Sequence, residues 1–270
     1  MKNNSGILIA IILLSGLTGC AKQEADKSKT LEFSIVSGQK VYILEDTAKE
    51  YDRDNDLAFR SSASVCMPEV LLGQDVTLLR ERIMAVAFDT VCPTPAEAME
   101  ICFAKAAEEM GYPIEAAPDS LQIDYSDGFY GIQGDILNIT SRWLTYLITT
   151  STYYPGAAHG MYNNSYVTYD LENGRIMTLD TLFTPSGLQE LPALISRRAK
   201  KLEFQLGDTS INSLPAGGDF YINLEYEIVF VYQPYEVASY AQGIIQVPFY
   251  AYELTDYMTP EGLAFFGLNN

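Results

Sequence analysis

Thr94-Pro95-Ala96-Glu97-Ala98-Met99-Glu100-Ile101-Cys102-Phe103-Ala104-Lys105-Ala106-Ala107-Glu108-Glu109-Met110-Gly111 reads as one complete helix with both of its ends written in. A threonine three residues before a glutamate forms a capping box, and proline at the first helical position loses no intrahelical hydrogen bond. Met99, Cys102, Phe103, Ala106 and Met110 recur at helical spacing, so Cys102 is expected to face a core, and Gly111 supplies the stop. Upstream, Asp75 is placed to cap a second helix running to about Phe88, with Val76, Leu79, Ile83, Val86 and Ala87 as its apolar stripe. Downstream, Leu121 to Tyr125, Ser126-Asp127-Gly128 and Phe129 to Ile132 read as a β-hairpin, the Asp-Gly pair giving the positive φ angles of such turns.

Around this centre the pattern is extended chain interrupted by polar turns. Leu31 to Ser37, Val41 to Leu44 and Ser62 to Cys66 look like short strands, and Asp135 to Tyr154 carries Ile139, Trp143, Tyr146, Leu147 and a run of threonines that favour strand. Tyr166 to Leu171, Glu172-Asn173-Gly174 and Arg175 to Leu179 predict another hairpin. Leu188 to Leu206 predicts an amphipathic helix restarted at Pro192, with Arg197, Arg198, Lys200 and Lys201 gathered near its end. That placement complements the helix dipole and reads as a solvated structural face. Tyr226 to Tyr232 is apolar on both faces apart from Glu227, as in a strand covered on both sides, and Ile245 to Tyr250 alternates like an edge strand that tolerates Pro248. The expected fold class is α+β, with two small subdomains at 31–149 and 150–270, each a mainly antiparallel sheet packed with one or two helices.

The N-terminus carries a different message. Ile7 to Leu14 is apolar or small, and Leu17-Thr18-Gly19-Cys20 follows as a lipobox. The stretch is too short to span a bilayer, so residues 1–19 read as a cleaved lipoprotein signal and Cys20 as the lipidated first residue of the mature chain. Acyl chains on Cys20 would hold the protein on a membrane, and polar residues 20–30 would act as a tether. The expected location is the bacterial cell envelope, the outer membrane in particular because Ala21 is not aspartate. The formal charge of the chain is −18, and loss of Lys2 with the signal makes it −19. With no basic face to neutralise phosphates, nucleic acid is not an expected partner, whereas cationic partners are favoured. Cys66, Cys92 and Cys102 are an odd set without a Cys-x-x-Cys spacing, so no zinc or redox motif is suggested. Their pairing stays open between buried thiols and one disulfide.

Two stretches in the C-terminal half carry a family resemblance. Tyr153-Tyr154-Pro155-Gly156-Ala157-Ala158-His159-Gly160 is followed by Tyr169-Asp170, Gly174 and Thr178-Leu179-Asp180-Thr181-Leu182-Phe183. Further on come Gln233-Pro234-Tyr235-Glu236-Val237-Ala238-Ser239-Tyr240-Ala241-Gln242-Gly243 and Val247-Pro248-Phe249. Together they resemble the RsiV-like extracytoplasmic domain family, with Gly156-Ala157 standing where the family usually has two glycines. The resemblance implies the small α+β domain that usually precedes this region. It also implies kinship with an anti-sigma-factor ectodomain that senses lysozyme by binding it, with modules found beside peptidoglycan deacetylase domains, and with many lipoproteins.

His159 is the only histidine. As a general base it would make the domain a hydrolase of envelope polymers. No Gly-x-Ser-x-Gly elbow surrounds it, and the preferred reading has the ring bonding a neighbouring backbone carbonyl to fix a turn between strands. One histidine also argues against a zinc site, and no cofactor is expected. Asp52-Arg53-Asp54-Asn55-Asp56 imitates the start of a calcium loop, but Leu57 stands where glycine is needed and Ala63 where the bidentate glutamate belongs. The chain has 19 tyrosines. A binding surface is expected at Tyr154, His159 and Tyr162 and at Tyr235, Glu236 and Tyr240, where irregular sequence coincides with the family motifs. The expected function is a non-catalytic envelope binding module for a lysozyme-like cationic protein or for peptidoglycan glycan.

Overall fold

The computed structural model describes residues 10–13, 30–43, 58–115, 127–202, 204 and 211–269. It is α+β, with a large mainly antiparallel sheet, a second sheet of three strands and several helices. The chain forms two compact units, Met1–Asp135 with Ile148–Tyr162, and Ile136–Leu147 with Asn163–Asn270. This differs from a single cut between residues 149 and 150, which falls inside the strand Trp143–Tyr153. Three long strands each contribute residues to both units, so the chain passes between them repeatedly. Turn signals mark strand ends and cannot reveal such a division.

In the first unit, β1 (Ala10–Leu13), which lies within the stretch expected to be cleaved as a signal, and β3 (Phe59–Leu71) both pair antiparallel with β2 (Leu31–Ile43). The β2–β3 register runs from Leu31↔Leu71 to Tyr42↔Phe59, with an irregularity at Glu32/Phe33. Where short strands around polar turns were expected, β2 and β3 are continuous over 13 residues each. The polar run Ser37-Gly38-Gln39-Lys40 stays extended because a helix covers it. Gly38 lies under Met99, whose Cε is 2.6 Å from where a β-carbon would stand, and Lys40 is paired with both Glu100 and Glu115.

That covering helix is α2 (Pro95–Glu109), which follows α1 (Thr77–Phe88). The Thr94 side chain accepts the Glu97 backbone N–H, Gly111 has φ +84°, and Ala98, Met99, Cys102, Phe103 and Ala107 are buried. Asp75 accepts from the N–H and hydroxyl of Thr77 one residue ahead of the α1 cap position, Val76. The short strand β4 (Ile114–Glu115) adds to β2.

The Asp127-Gly128 hairpin is not formed as expected, and its proposed first strand, 121–125, lies outside the described residues. Gly128 instead starts β5 (Gly128–Ile139), which runs parallel to β3 from Phe59↔Gly128 to Val65↔Gly134. A parallel neighbour requires a long crossover, and α1 and α2 lie within it. Gly128 is extended, and a β-carbon there would stand 3.0 Å from both Phe59 and Pro155. Asp127 caps the entry by accepting the Ala58 N–H at 2.9 Å. β6 (Trp143–Tyr153) and β7 (Met161–Asp170) follow.

In the second unit, β7 turns into β8 (Arg175–Met177) through Glu172-Asn173-Gly174, as the sequence predicts. Asp170, wholly buried, accepts from the N–H groups of Glu172 and Asn173, from Asn173 Nδ2 and from Arg175 Nε. After the short helix α3 (Leu179–Leu182), α4 spans Pro185–Lys201. It begins earlier than Leu188 because Thr184 caps the Gly187 N–H. It is not restarted at Pro192, which sits inside the helix and forgoes one backbone bond. β9 (Phe220–Ile222), β10 (Glu227–Tyr232) and β11 (Ile245–Tyr250) form the second sheet, with β10 central and β11 at an edge where Val229 pairs with Pro248. Ile228, Phe230 and Tyr232 enter the core made with Leu191, Ile195 and Ala199 of α4, while Val229 and Val231 pack against Tyr166. The helix α5 (Pro260–Phe266) closes that core with Phe265 and Phe266.

Candidate functional site

The motif Gln233-Pro234-Tyr235-Glu236 leaves β10 and is fixed by its own side chains. The Gln233 amide behaves like one more backbone unit beside β7. Its Oε1 accepts the Asn164 N–H at 2.9 Å and its Nε2 donates to the Asn164 carbonyl at 2.6 Å and to Asp219 Oδ2 at 3.3 Å. Glu236 folds back, with Oε2 accepting the Gln233 N–H at 2.8 Å and Oε1 the Ala216 N–H at 2.7 Å. Its carboxylate therefore locks the turn, a structural duty that the sequence pattern did not separate from ligand contact. Charge-assisted bonds of this type are the strong ones.

Tyr235 is what the lock presents. It has φ +70° and is 58% exposed. A bulky side chain in the left-handed region is uncommon and costs roughly 1–2 kcal/mol, and such positions cluster at functional sites. Its ring centroid lies 5.6 Å from that of Tyr240 at 31°, so the two sequence-predicted tyrosines do come together. Tyr240 opens the single turn Tyr240–Gln242, which ends at Gly243 with φ +66°.

Tyr154, His159 and Tyr162 belong to the first unit. The loop between β6 and β7 is shaped by Gly156 at φ +79° and by the Tyr153 hydroxyl donating to the Ala157 carbonyl at 3.2 Å. His159 is exposed, and its Nδ1 is 2.9 Å from the Gly160 carbonyl. A carbonyl only accepts, so Nδ1 is the donor in this bond. Gly160 is required by close approach, because a β-carbon would stand 2.9 Å from the Thr152 carbonyl.

Tyr154 is 56% exposed and lines a cleft of about 180 Å³ with Phe88, Cys102, Met110, Tyr130 and Thr152. Lys105 and Asp89, 2.6 Å apart, also line it. Nothing in the spacing of these residues along the chain announces this cleft. The nearest signal is the inward-facing Cys102, whose Sγ is 3.8 Å from the Tyr130 hydroxyl. Burial pushes both that thiol and the Tyr130 hydroxyl above their ordinary pKa, so each stays protonated at neutral pH. Cys66, Cys92 and Cys102 are all free thiols, and burial raises Cys66 to about 11. Neither Cys66 nor Cys102 has the lowered pKa of a nucleophile. Among the described residues no three His, Cys, Asp or Glu side chains are grouped to hold a metal ion. The calcium-like run 52–56 and Cys20 lie outside those residues.

An α+β protein that presents tyrosines from tightly braced loops is the class these features define. Residues 180–250, which contain α4, all of the second sheet and the Tyr235 turn, match the family described as "Protein of unknown function (DUF3298)". A DUF3298 domain is therefore present. A crystal structure of a DUF3298-family member from Bacteroides fragilis NCTC 9343 is similar with a TM-score of 0.66 and 19% identity, covering 88% of this chain and 97% of that one. A DUF3298-family protein from Pseudomonas aeruginosa PAO1 is similar with a TM-score of 0.51 and 11% identity, covering 87% of this chain and 97% of that one. At these identities the likeness is one of fold. No curated protein matches the sequence.

Proposed function

We propose that this chain is an RsiV-like envelope lipoprotein, lipidated on Cys20, whose folded region is a non-catalytic binding module for a lysozyme-like cationic protein. The observation that carries the reading is Tyr235: a largely exposed aromatic held at φ +70° by a turn whose polar groups are engaged in bracing it. Aromatic anchors of this kind dominate binding energy at protein interfaces, and a prearranged anchor loses little entropy when it binds. The formal charge of −18 favours a cationic partner and speeds its encounter.

A second reading, binding of peptidoglycan glycan, is favoured by another exposed pair. Tyr250 and Tyr252 stack with centroids 5.3 Å apart and planes 9° apart. Titration of the chain from residue 20, carrying Cys20→Ser, with lysozyme and with muropeptides separates the two. Saturable lysozyme binding lost in Tyr235→Ala supports the first reading. Muropeptide binding lost in Tyr252→Ala supports the second. Release of glycan fragments that stops in His159→Ala would overturn both in favour of a hydrolase. Anchoring is tested separately: Cys20→Ser should move the protein from the membrane to the soluble fraction, and retention on the membrane would contradict lipidation at Cys20.

A further inference from the structure

A second cleft, unconnected with the tyrosine turn, lies along α4. Leu194, Arg197, Arg198 and Lys201 stand at i, i+3, i+4 and i+7, so one helical face forms its wall, and Phe249 of β11 forms its floor. The volume is about 180 Å³. We propose that this cleft binds an oxyanion, the phosphate or carboxylate group of an anionic envelope component. The oxyanion site stands whether or not the Tyr235 turn binds a ligand, and its envelope source rests on the anchoring proposed above.

Arg198 is prearranged for such a role. Its guanidinium lies 4.5 Å from the Phe249 ring centroid and is paired with Glu253, whose other oxygen accepts the Tyr250 N–H at 2.9 Å. The fork is therefore held between an aromatic face and a carboxylate that is itself fixed. Among the described residues, Arg197 and Lys201 have no acidic partner. Three cations and Glu253 leave about two positive charges at one cleft, in a chain with 35 acidic and 17 basic residues. Like charges at i and i+4, as in Arg197 and Lys201, repel each other and weaken a helix. Complementing the helix dipole accounts for a cation in the last turn, and Lys200 meets that need from outside the cleft. It does not account for an arginine stacked on a buried aromatic floor. Phe249 and Leu194 supply apolar walls that strengthen a charge interaction relative to open solvent. A phosphate or carboxylate fits this set, because Arg offers paired donors and Lys a mobile point charge.

The test uses the full mature chain with Cys20→Ser and inorganic phosphate as the probe, with chloride holding ionic strength constant and backbone amide NMR as the readout. The proposal predicts saturable shifts confined to residues near 194–201 and 249–253. It also predicts at least tenfold weaker binding in Lys201→Ala and in Arg197→Ala, with Lys200→Ala within twofold of the parent. Equal losses in Lys200→Ala and Lys201→Ala, or shifts that are weak, linear and dispersed, would overturn it. A second arm distinguishes the source of the anion, using vesicles of phosphatidylglycerol against phosphatidylcholine. Co-sedimentation with phosphatidylglycerol that phosphate competes away assigns a lipid headgroup. Phosphate binding without vesicle binding assigns a soluble or polymeric anion. Thermal midpoints of the variants, expected within about 2 °C of the parent, separate lost binding from lost folding.

Discussion

Replacing Tyr235 with asparagine should leave the protein as stable as before, or slightly more so, while removing its ligand. Tyr235 sits at φ +70°, where most side chains cost roughly 1–2 kcal/mol and asparagine costs much less, so the backbone should gain about 1 kcal/mol. Against this stands the ring contact with Tyr240. Such pairs contribute about 0.5–1.5 kcal/mol, and the low end applies to a ring 58% exposed. The balance is a gain of roughly 0.5 kcal/mol, measured by urea unfolding. Binding moves the other way: loss of an aromatic anchor costs about 2 kcal/mol or more, close to thirtyfold in Kd, measured by calorimetry. Tyr226 is the internal control, at φ +63° and half exposed but with its ring edge-on to buried Trp143 at 4.9 Å. Tyr226→Asn loses a packed contact and should be neutral or destabilising, with binding unchanged. If Tyr235→Asn destabilises by more than about 1 kcal/mol and leaves binding intact, Tyr235 is a structural residue and the reasoning fails.

The remaining predictions concern the scaffold. Gly187→Ala should cost about 2–3 kcal/mol, because a β-carbon there meets the Tyr257 carbonyl, whereas Gly38→Ala should cost about 1 kcal/mol, because Met99 can swing aside; the reverse order in thermal unfolding would contradict the packing described. Asp170→Ala should lower stability by about 3 kcal/mol by stripping the exposed Glu172-Asn173-Gly174 turn of its wholly buried acceptor, and a loss below 1 kcal/mol would refute that role. Burial raises Tyr42 and Tyr166 to about 12, so the neutral hydroxyls favour the folded state. That contribution is complete below about pH 10 and is lost as pH rises toward 12. Tyr42→Phe should move the alkaline unfolding midpoint upward at no cost near pH 7, since the Tyr42 hydroxyl is buried without a hydrogen-bond partner among the described residues. An unchanged alkaline limb would show that this burial is not what limits stability at high pH.

Much of the fold is legible where the signals are local. The α2 cap, the Gly174 turn, the doubly covered β10 and the proline-bearing edge strand β11 follow from residue chemistry within a few positions of each other. What escaped is set by partners far along the chain. Gly38 and Lys40 look like turn residues until Met99, Glu100 and Glu115 cover them, and Gly128 looks like a hairpin glycine until Phe59 and Pro155 leave it no room for a β-carbon. The candidate site divides in the same way. Tyr235 and Tyr240 are marked by their motif and do meet, but Glu236 braces the turn with both of its oxygens, and the cleft beside Tyr154 is assembled from α2 and the strands in a manner no spacing encodes. The basic cluster of α4 read as a solvated face because Phe249, which floors its cleft, lies 48 residues beyond Lys201.

The braced tyrosine turn of this acidic domain is proposed to capture a cationic protein. The most direct measurement is binding of lysozyme to the chain from residue 20 with Cys20→Ser, parent and Tyr235→Asn side by side, across a salt series. The expected result is saturable one-site binding that weakens with salt but persists at about 150 mM, where exposed charges are screened beyond roughly 8 Å, and that falls about thirtyfold in the variant. Binding that vanishes at that salt and is identical in the two proteins would show that net charge alone draws lysozyme, and would contradict a site at Tyr235.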